Sequence, residues 1–233
     1  ARGTIKRPHI LRSVIEILSG CKVFSTRSVE ALSQVTGFCL ERDSKVVALY
    51  GGDGTLSCAL TRFTQAYQKA QRELPVFAPL LAGTMNTVVK ELGLQGSVVS
   101  LSKGLKRALE SKVSFPTGFF EPLALEEGGG ALVRLGFLIG VGLPSSFLSH
   151  YYSLGAKGSL DGLRAVLQLI GSILTRGQFA KNLLAPLPVQ AIADQRRLDL
   201  GPISAALFGK IKSVGLKAKP LFFAPPPKGF LAY

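Results

Sequence analysis

An α/β protein is what the sequence predicts: a doubly wound N-terminal layer over residues 1–113, then a β-rich (α+β) second domain over 114–233. Three observations carry this. Helical and strand patterns alternate through the first half, a continuous apolar run (VVALY, 46–50) reads as a strand covered on both faces, and the pattern changes after residue 113 to strands around a Glu-Glu-Gly-Gly-Gly turn.

The elements follow in order. Ile10, Leu11, Val14, Ile15 and Leu18 sit at helical spacing, predicting a helix over 9–18. KVFST (22–26) reads as a short strand. A helix over 28–42 follows, with Val29, Leu32, Val35 and Cys39 on one side. KVVALY (45–50) is the buried strand, and Leu56, Ala59, Leu60, Phe63 and Tyr67 mark the inward face of a helix from Thr55 to Glu73. Pro75 to Leu81 reads as the next strand, Asn86 to Leu92 as a helix, and SLSKGLKRALES (100–111) closes the layer. In the second domain two strands are expected within 115–142, helices over 145–152, 160–175 and 203–213, and strands near 187–193 and 219–224. Pro225-Pro226-Pro227 is a stiff extended segment.

Composition narrows the classes of partner. The 233 residues carry a formal net charge of +14, and residues 128–233 hold 12 basic residues against Asp161, Asp194 and Asp199. Such an excess calls for an anionic partner: a nucleotide, a nucleic acid or an acidic membrane surface. No recognisable nucleic-acid-binding module is present, so the expectation is no nucleic acid. Cys21, Cys39 and Cys58 are odd in number and lack CxxC spacing, which argues against a disulfide framework or zinc site and for a reducing, cytoplasmic setting. No apolar run of membrane-spanning length exists, and ARGTIKRPHI lacks the apolar core of a signal peptide. A soluble protein, peripheral to the membrane, is expected. The sequence is compatible with a homo-oligomer without fixing the number of copies.

Two stretches carry chemistry. YGGDGTLS (50–57) ends a strand with more than a tight turn needs: three glycines, an aspartate between them and a hydroxyl behind. In open α/β sheets ligands sit beyond the carboxyl ends of strands. There Gly51, Gly52 and Gly54 would let backbone N–H groups approach a phosphate, with the start of the following helix aimed at the anion. Asp53 would hold Mg²⁺ and the Thr55 hydroxyl would meet a phosphate oxygen. An ordinary strand–turn–helix with aspartate as cap is the competing reading. LLAGTMNTVVKELG (80–93) repeats the strand–glycine–hydroxyl–helix order, placing Gly83, Thr84 and Asn86 to line the same crevice. Two such loops on successive strands favour a shared nucleotide pocket over two helix caps.

GGDGTLSCALT followed by GTMNTVVKELG resembles the diacylglycerol kinase catalytic domain family, including the bacterial lipid kinases and their sphingosine kinase relatives. GFLIGVG (136–142) resembles the family's glycine-rich strand opening the second domain. GGDG alone is shared with NAD kinases, while the GT-x-N loop favours the lipid-kinase branch. The resemblance implies a nucleotide-binding first domain, ATP and Mg²⁺ as cosubstrate and metal, and transfer of a phosphoryl group to a neutral lipid such as diacylglycerol, drawn from an anionic membrane surface. It also implies nucleotide contacts from Thr26, Gly51–Thr55, Gly83, Thr84 and Asn86, a metal role for Asp53 and a weaker one for Asp194, for which a solvated turn aspartate is the competing reading. Family members open with a strand ending in Asn-Pro and carry a late acidic base in an Asp-Gly pair. This chain begins at ARGTIKRP, as if just after that strand, and has Lys228 before Gly229, so the resemblance carries no catalytic base over to this sequence. A binder of nucleotide or lipid without turnover, and NAD kinase, are the alternatives. His150-Tyr151-Tyr152 reads as a partly buried helix face, the 160–175 helix as core or acyl-chain groove, and Lys210, Lys212, Lys217 and Lys219 as a solvated face or a contact for anionic headgroups.

Overall fold

The computed structural model describes residues 8–83, 86–111, 117–153, 159–175, 177–189, 191–193, 196–198 and 201–212. Its elements run α1 (Pro8–Ile17), α2 (Val29–Glu41), β1 (Val46–Gly51), α3 (Asp53–Lys69), β2 (Val76–Leu81), α4 (Thr87–Glu91), α5 (Val98–Glu110), β3 (Leu123–Glu127), β4 (Ala131–Gly136) and β5 (Leu138–Gly142). They continue with α6 (Leu143–Ser153), α7 (Ser159–Leu174), α8 (Gln178–Leu183), β6 (Ala191–Ala193), β7 (Arg196–Leu198) and β8 (Ala205–Gly209). The mixed α/β class expected from the sequence is the one observed. By contact the chain divides into residues 1–137 with 210–233, and residues 138–209.

In the first unit β1 and β2 pair in parallel, Val47 opposite Phe77 and Tyr50 opposite Leu80. Side chains alternate across a strand, so these two pairs face opposite ways. Val47 and Phe77 join Cys39, Phe63 and Tyr67 from α2 and α3. Tyr50 and Leu80 join Val14 and Leu18, with Leu101 and Leu105, from the α1–α5 side. Helices therefore cover both faces of the strand pair, which explains why its strands read as unbroken apolar runs. Phe63 is fully buried, stacked on Tyr67 and edge-on to Phe77.

The β3–β4 hairpin lies along α3. Ser57 Oγ donates to Leu135 O (2.5 Å), Leu135 N donates to Thr61 Oγ1 (2.9 Å), and Gln65 Nε2 donates to Leu132 O (2.7 Å). One polar stripe of α3, at four-residue spacing, thus serves the outer backbone edge of β4.

In the second unit β5 pairs antiparallel with β8 and β6 with β7. On α7 the side chains of Leu167, Ile170 and Leu174 are exposed.

Three local expectations are corrected. Residues 22–26 form no strand: Phe24 packs edge-on against Phe38 of α2 instead of entering a sheet. Residues 205–209 are a strand, not part of a helix over 203–213. Pairing with β5 overrides the Ile203, Leu207, Ile211 spacing, and Gly209 weakens a helix there. Among the described residues of 115–142 there are three strands rather than two, because the backbone bends at Phe137, ending β4, and β5 takes a different partner. The expected strand near 219–224 lies outside the described residues.

Candidate nucleotide site

The site is assembled where β1 and β2 end side by side. Gly52 is the N-cap of α3, with extended backbone (φ −102°, ψ −173°) and no side chain to cap the helix. The helix begins at Asp53, two residues earlier than the sequence suggests, and no side chain caps its first-turn N–H groups. Gly51 is buried against Thr55: a Cβ at Gly51 would lie 2.5 Å from Thr55 Oγ1. Gly54 is exposed, with nothing within 4 Å of where its Cβ would be.

The second loop docks directly onto the first. Ala82 N donates to Gly51 O (3.2 Å), and a Cβ at Gly83 would stand 2.4 Å from Gly52 Cα. Only two glycines permit this approach. Asn86 is buried in the left-handed region (φ 50°, ψ 44°), which asparagine tolerates better than other side chains. Its amide is used twice on one residue: Gly83 N donates to Oδ1 (2.8 Å) and Nδ2 donates to Gly83 O (2.9 Å).

Asp53 ties the loops together. Thr87 N donates to its Oδ2 (2.9 Å) and Val88 N to its Oδ1 (3.1 Å), so one carboxylate of α3 caps α4. Burial pushes the Asp53 carboxyl above its ordinary range; the two amides and the Lys90 charge pull the other way without cancelling it. The aspartate is thus a cap, but for the helix of the other loop. No side-chain pattern announces Thr87 and Val88, which act through backbone N–H. The nearest signal is that Asn86-Thr87 opens a helix lacking any acid of its own in its first turn.

Gly51, Gly52, Asp53, Gly83 and Asn86 are therefore brought into one cluster, with Gly54 and Thr55 on its α3 side. Thr26 is half-buried in the irregular 22–27 segment, and no hydrogen bond among the described residues ties it to either loop. Thr84 and Asp194 lie outside the described residues, as do Lys217, Lys219 and Lys228. His150 on α6 packs against the Phe179 ring, 4.4 Å between centroids, as a helix-face residue. Among the described residues no group of three or more His, Cys, Asp or Glu gathers to hold a metal ion, and no helix is long and apolar enough to cross a membrane.

Comparison with known proteins bears on the family resemblance and the fold. The family model of the diacylglycerol kinase catalytic domain matches residues 2–115. A crystal structure of a diacylglycerol kinase from Bacillus anthracis str. Sterne superposes with a TM-score of 0.51 at 16% identity, covering 88% of this chain and 60% of that one. A second structure from the same organism, provisionally labelled a diacylglycerol kinase, gives 0.55 at 17% identity, covering 93% and 68%. The chain thus spans 60% to 68% of the length of these two structures. No curated protein matches it. At such identities the superpositions speak for the fold alone, and the family match speaks for a resemblance over just under half of the chain: residues 2–115 are similar to the diacylglycerol kinase catalytic domain.

Proposed function

We propose that the chain is a lipid kinase that transfers the γ-phosphate of ATP to the hydroxyl of diacylglycerol or a related neutral lipid. The observation that carries this reading is the uncapped N-terminus of α3, held against the Gly83 loop by Asp53. Backbone N–H groups at a helix start, with glycine on both sides, fit the charge and close approach of a polyphosphate. ATP supplies the phosphoryl group. The chain's own part is to hold the polyphosphate on the α3 amides, with Thr55 and Thr84 hydroxyls as further donors.

Phosphoryl transfer depends mainly on positioning and charge neutralisation, so fixing the two loops relative to each other is the catalytic contribution that these residues make. Mg²⁺ would arrive with ATP and meet Asp53 and Asp194 in this reading. Both Asp53 oxygens already accept backbone amides, so the described residues do not by themselves build a metal cage.

The test supplies the protein with γ-labelled ATP and vesicles containing diacylglycerol, ceramide or sphingosine. Labelled phospholipid is expected. ATP binding with no transfer to any of these lipids would overturn the kinase reading in favour of a non-catalytic binder, the reading that Lys228 before Gly229 favours. Transfer to NAD alone would assign the loops to an NAD kinase.

A further inference from the structure

A groove of about 410 Å³ runs between α1 and α5, lined by Ile17, Lys103, Lys106, Arg107 and Glu110 and by none of the loop residues described above. The four charged positions on α5 recur at the three- and four-residue spacing of one helix face, opposite the face on which Val98, Leu101 and Leu105 enter the core. Ile17 packs at the margin of that core. The lining is almost wholly carbon, as expected where lysine and arginine lay their alkyl stems beside an isoleucine and keep their charged heads in water.

The rim is under-neutralised. Lys106 Nζ lies 3.7 Å from Glu110 Oε1, an exposed pair of small worth. Among the described residues neither Lys103 nor Arg107 has an ion-pair partner. Three cations and one carboxylate therefore line an apolar groove. A small inorganic anion would gain nothing from the carbon lining. A lipid–water interface matches both parts, with phosphates at the cationic heads and glyceride carbon against the stems and Ile17.

We propose that the α1–α5 groove docks this chain on an anionic bilayer, with Lys103, Lys106 and Arg107 on lipid phosphates. Vesicle binding needs no turnover, so this surface and the kinase reading stand or fall separately.

The experiment sediments the full chain with phosphatidylcholine vesicles containing or lacking phosphatidylglycerol. A Lys or Arg near an anionic surface contributes about fivefold in partitioning, so K103A/K106A/R107A should bind roughly 100-fold more weakly. The control K45A/R62A/K69A removes the same charge from exposed positions outside the groove and should change binding only a few-fold. Glu110→Gln should tighten binding at least about twofold, because it removes the one carboxylate at the rim. Equal losses from the two triple variants, or weaker binding by Glu110→Gln, would overturn the proposal. So would complete release by inorganic phosphate at constant ionic strength, which would make the groove a small-anion pocket. If the triple variant does not fold, Lys103→Ala and Glu110→Gln still must move binding in opposite directions.

Discussion

Replacing Gly83 by alanine puts a methyl group where two backbones already touch. The new Cβ would sit 2.4 Å from Gly52 Cα and 2.6 Å from Asn86 Oδ1. Carbon–carbon contact is comfortable only near 3.5–4.0 Å, so the loops must part by about 1 Å. Neither neighbour is the free end of a flexible side chain: one is backbone at the N-cap of α3, the other is held by two hydrogen bonds. Overpacking of this kind costs about 1–3 kcal/mol. The same displacement moves the α3 amides relative to the second loop, and about 1 Å of misplacement costs roughly 100-fold in a positioned reaction. Gly54 is the matched control. Nothing approaches its Cβ position, and alanine is the better helix residue by up to about 1 kcal/mol, so Gly54→Ala should hold or raise stability. Denaturant midpoints, with calorimetric titration of a non-hydrolysable ATP analogue, read both effects. Gly83→Ala should lose stability and binding together; Gly54→Ala should lose binding only, through crowding at the phosphate. Equal stability of Gly83→Ala and the parent, or equal destabilisation by both variants, would refute the account of the two loops.

Two further outcomes are expected. Burial raises the Asp53 carboxyl above its ordinary value, so the native state holds that proton more tightly than the unfolded chain. Its contribution to stability is complete below the ordinary carboxylate range and is lost as pH rises through the native-state pKa. The parent should therefore lose stability relative to Asp53→Asn as pH increases from about 4, in denaturant midpoints measured without nucleotide; parallel or opposite slopes would contradict the assigned cause. Thr61→Val strands the Leu135 amide beside a buried methyl and should cost about 1–3 kcal/mol with an unchanged m-value; a loss no larger than that of a half-buried Thr64→Val control would remove Thr61 from the hairpin's support.

Much of the first unit was legible because its signals are local. Val14, Leu18, Cys39, Phe63 and Tyr67 recur at helical spacing and are the residues that pack on the strand pair. Glycine at 51, 52 and 83 marks close approach, and the structure supplies the surfaces that approach. What the sequence could not convey is which partner each group finds. Asp53 reads equally as a cap, a metal ligand or a phosphate neighbour; only the docking of α4 selects its two amide donors. KVFST reads as a short strand yet has no strand beside it among the described residues, while residues 205–209 mix helical spacing with glycine and follow β5. Strand formation is decided by a remote neighbour, and one sequence read alone contains no such neighbour.

The ladder from Ser57, Thr61 and Gln65 to β4 also bears on solubility. A hairpin strand with an open outer edge offers unpaired amides and carbonyls to any other extended chain, an invitation to edge-to-edge aggregation. Here the amide of Leu135 and the carbonyls of Leu132 and Leu135 are already spent on helix side chains. The hairpin edge becomes available to a foreign strand only when α3 leaves it. Conditions that loosen this helix should therefore make the protein sticky before they unfold it.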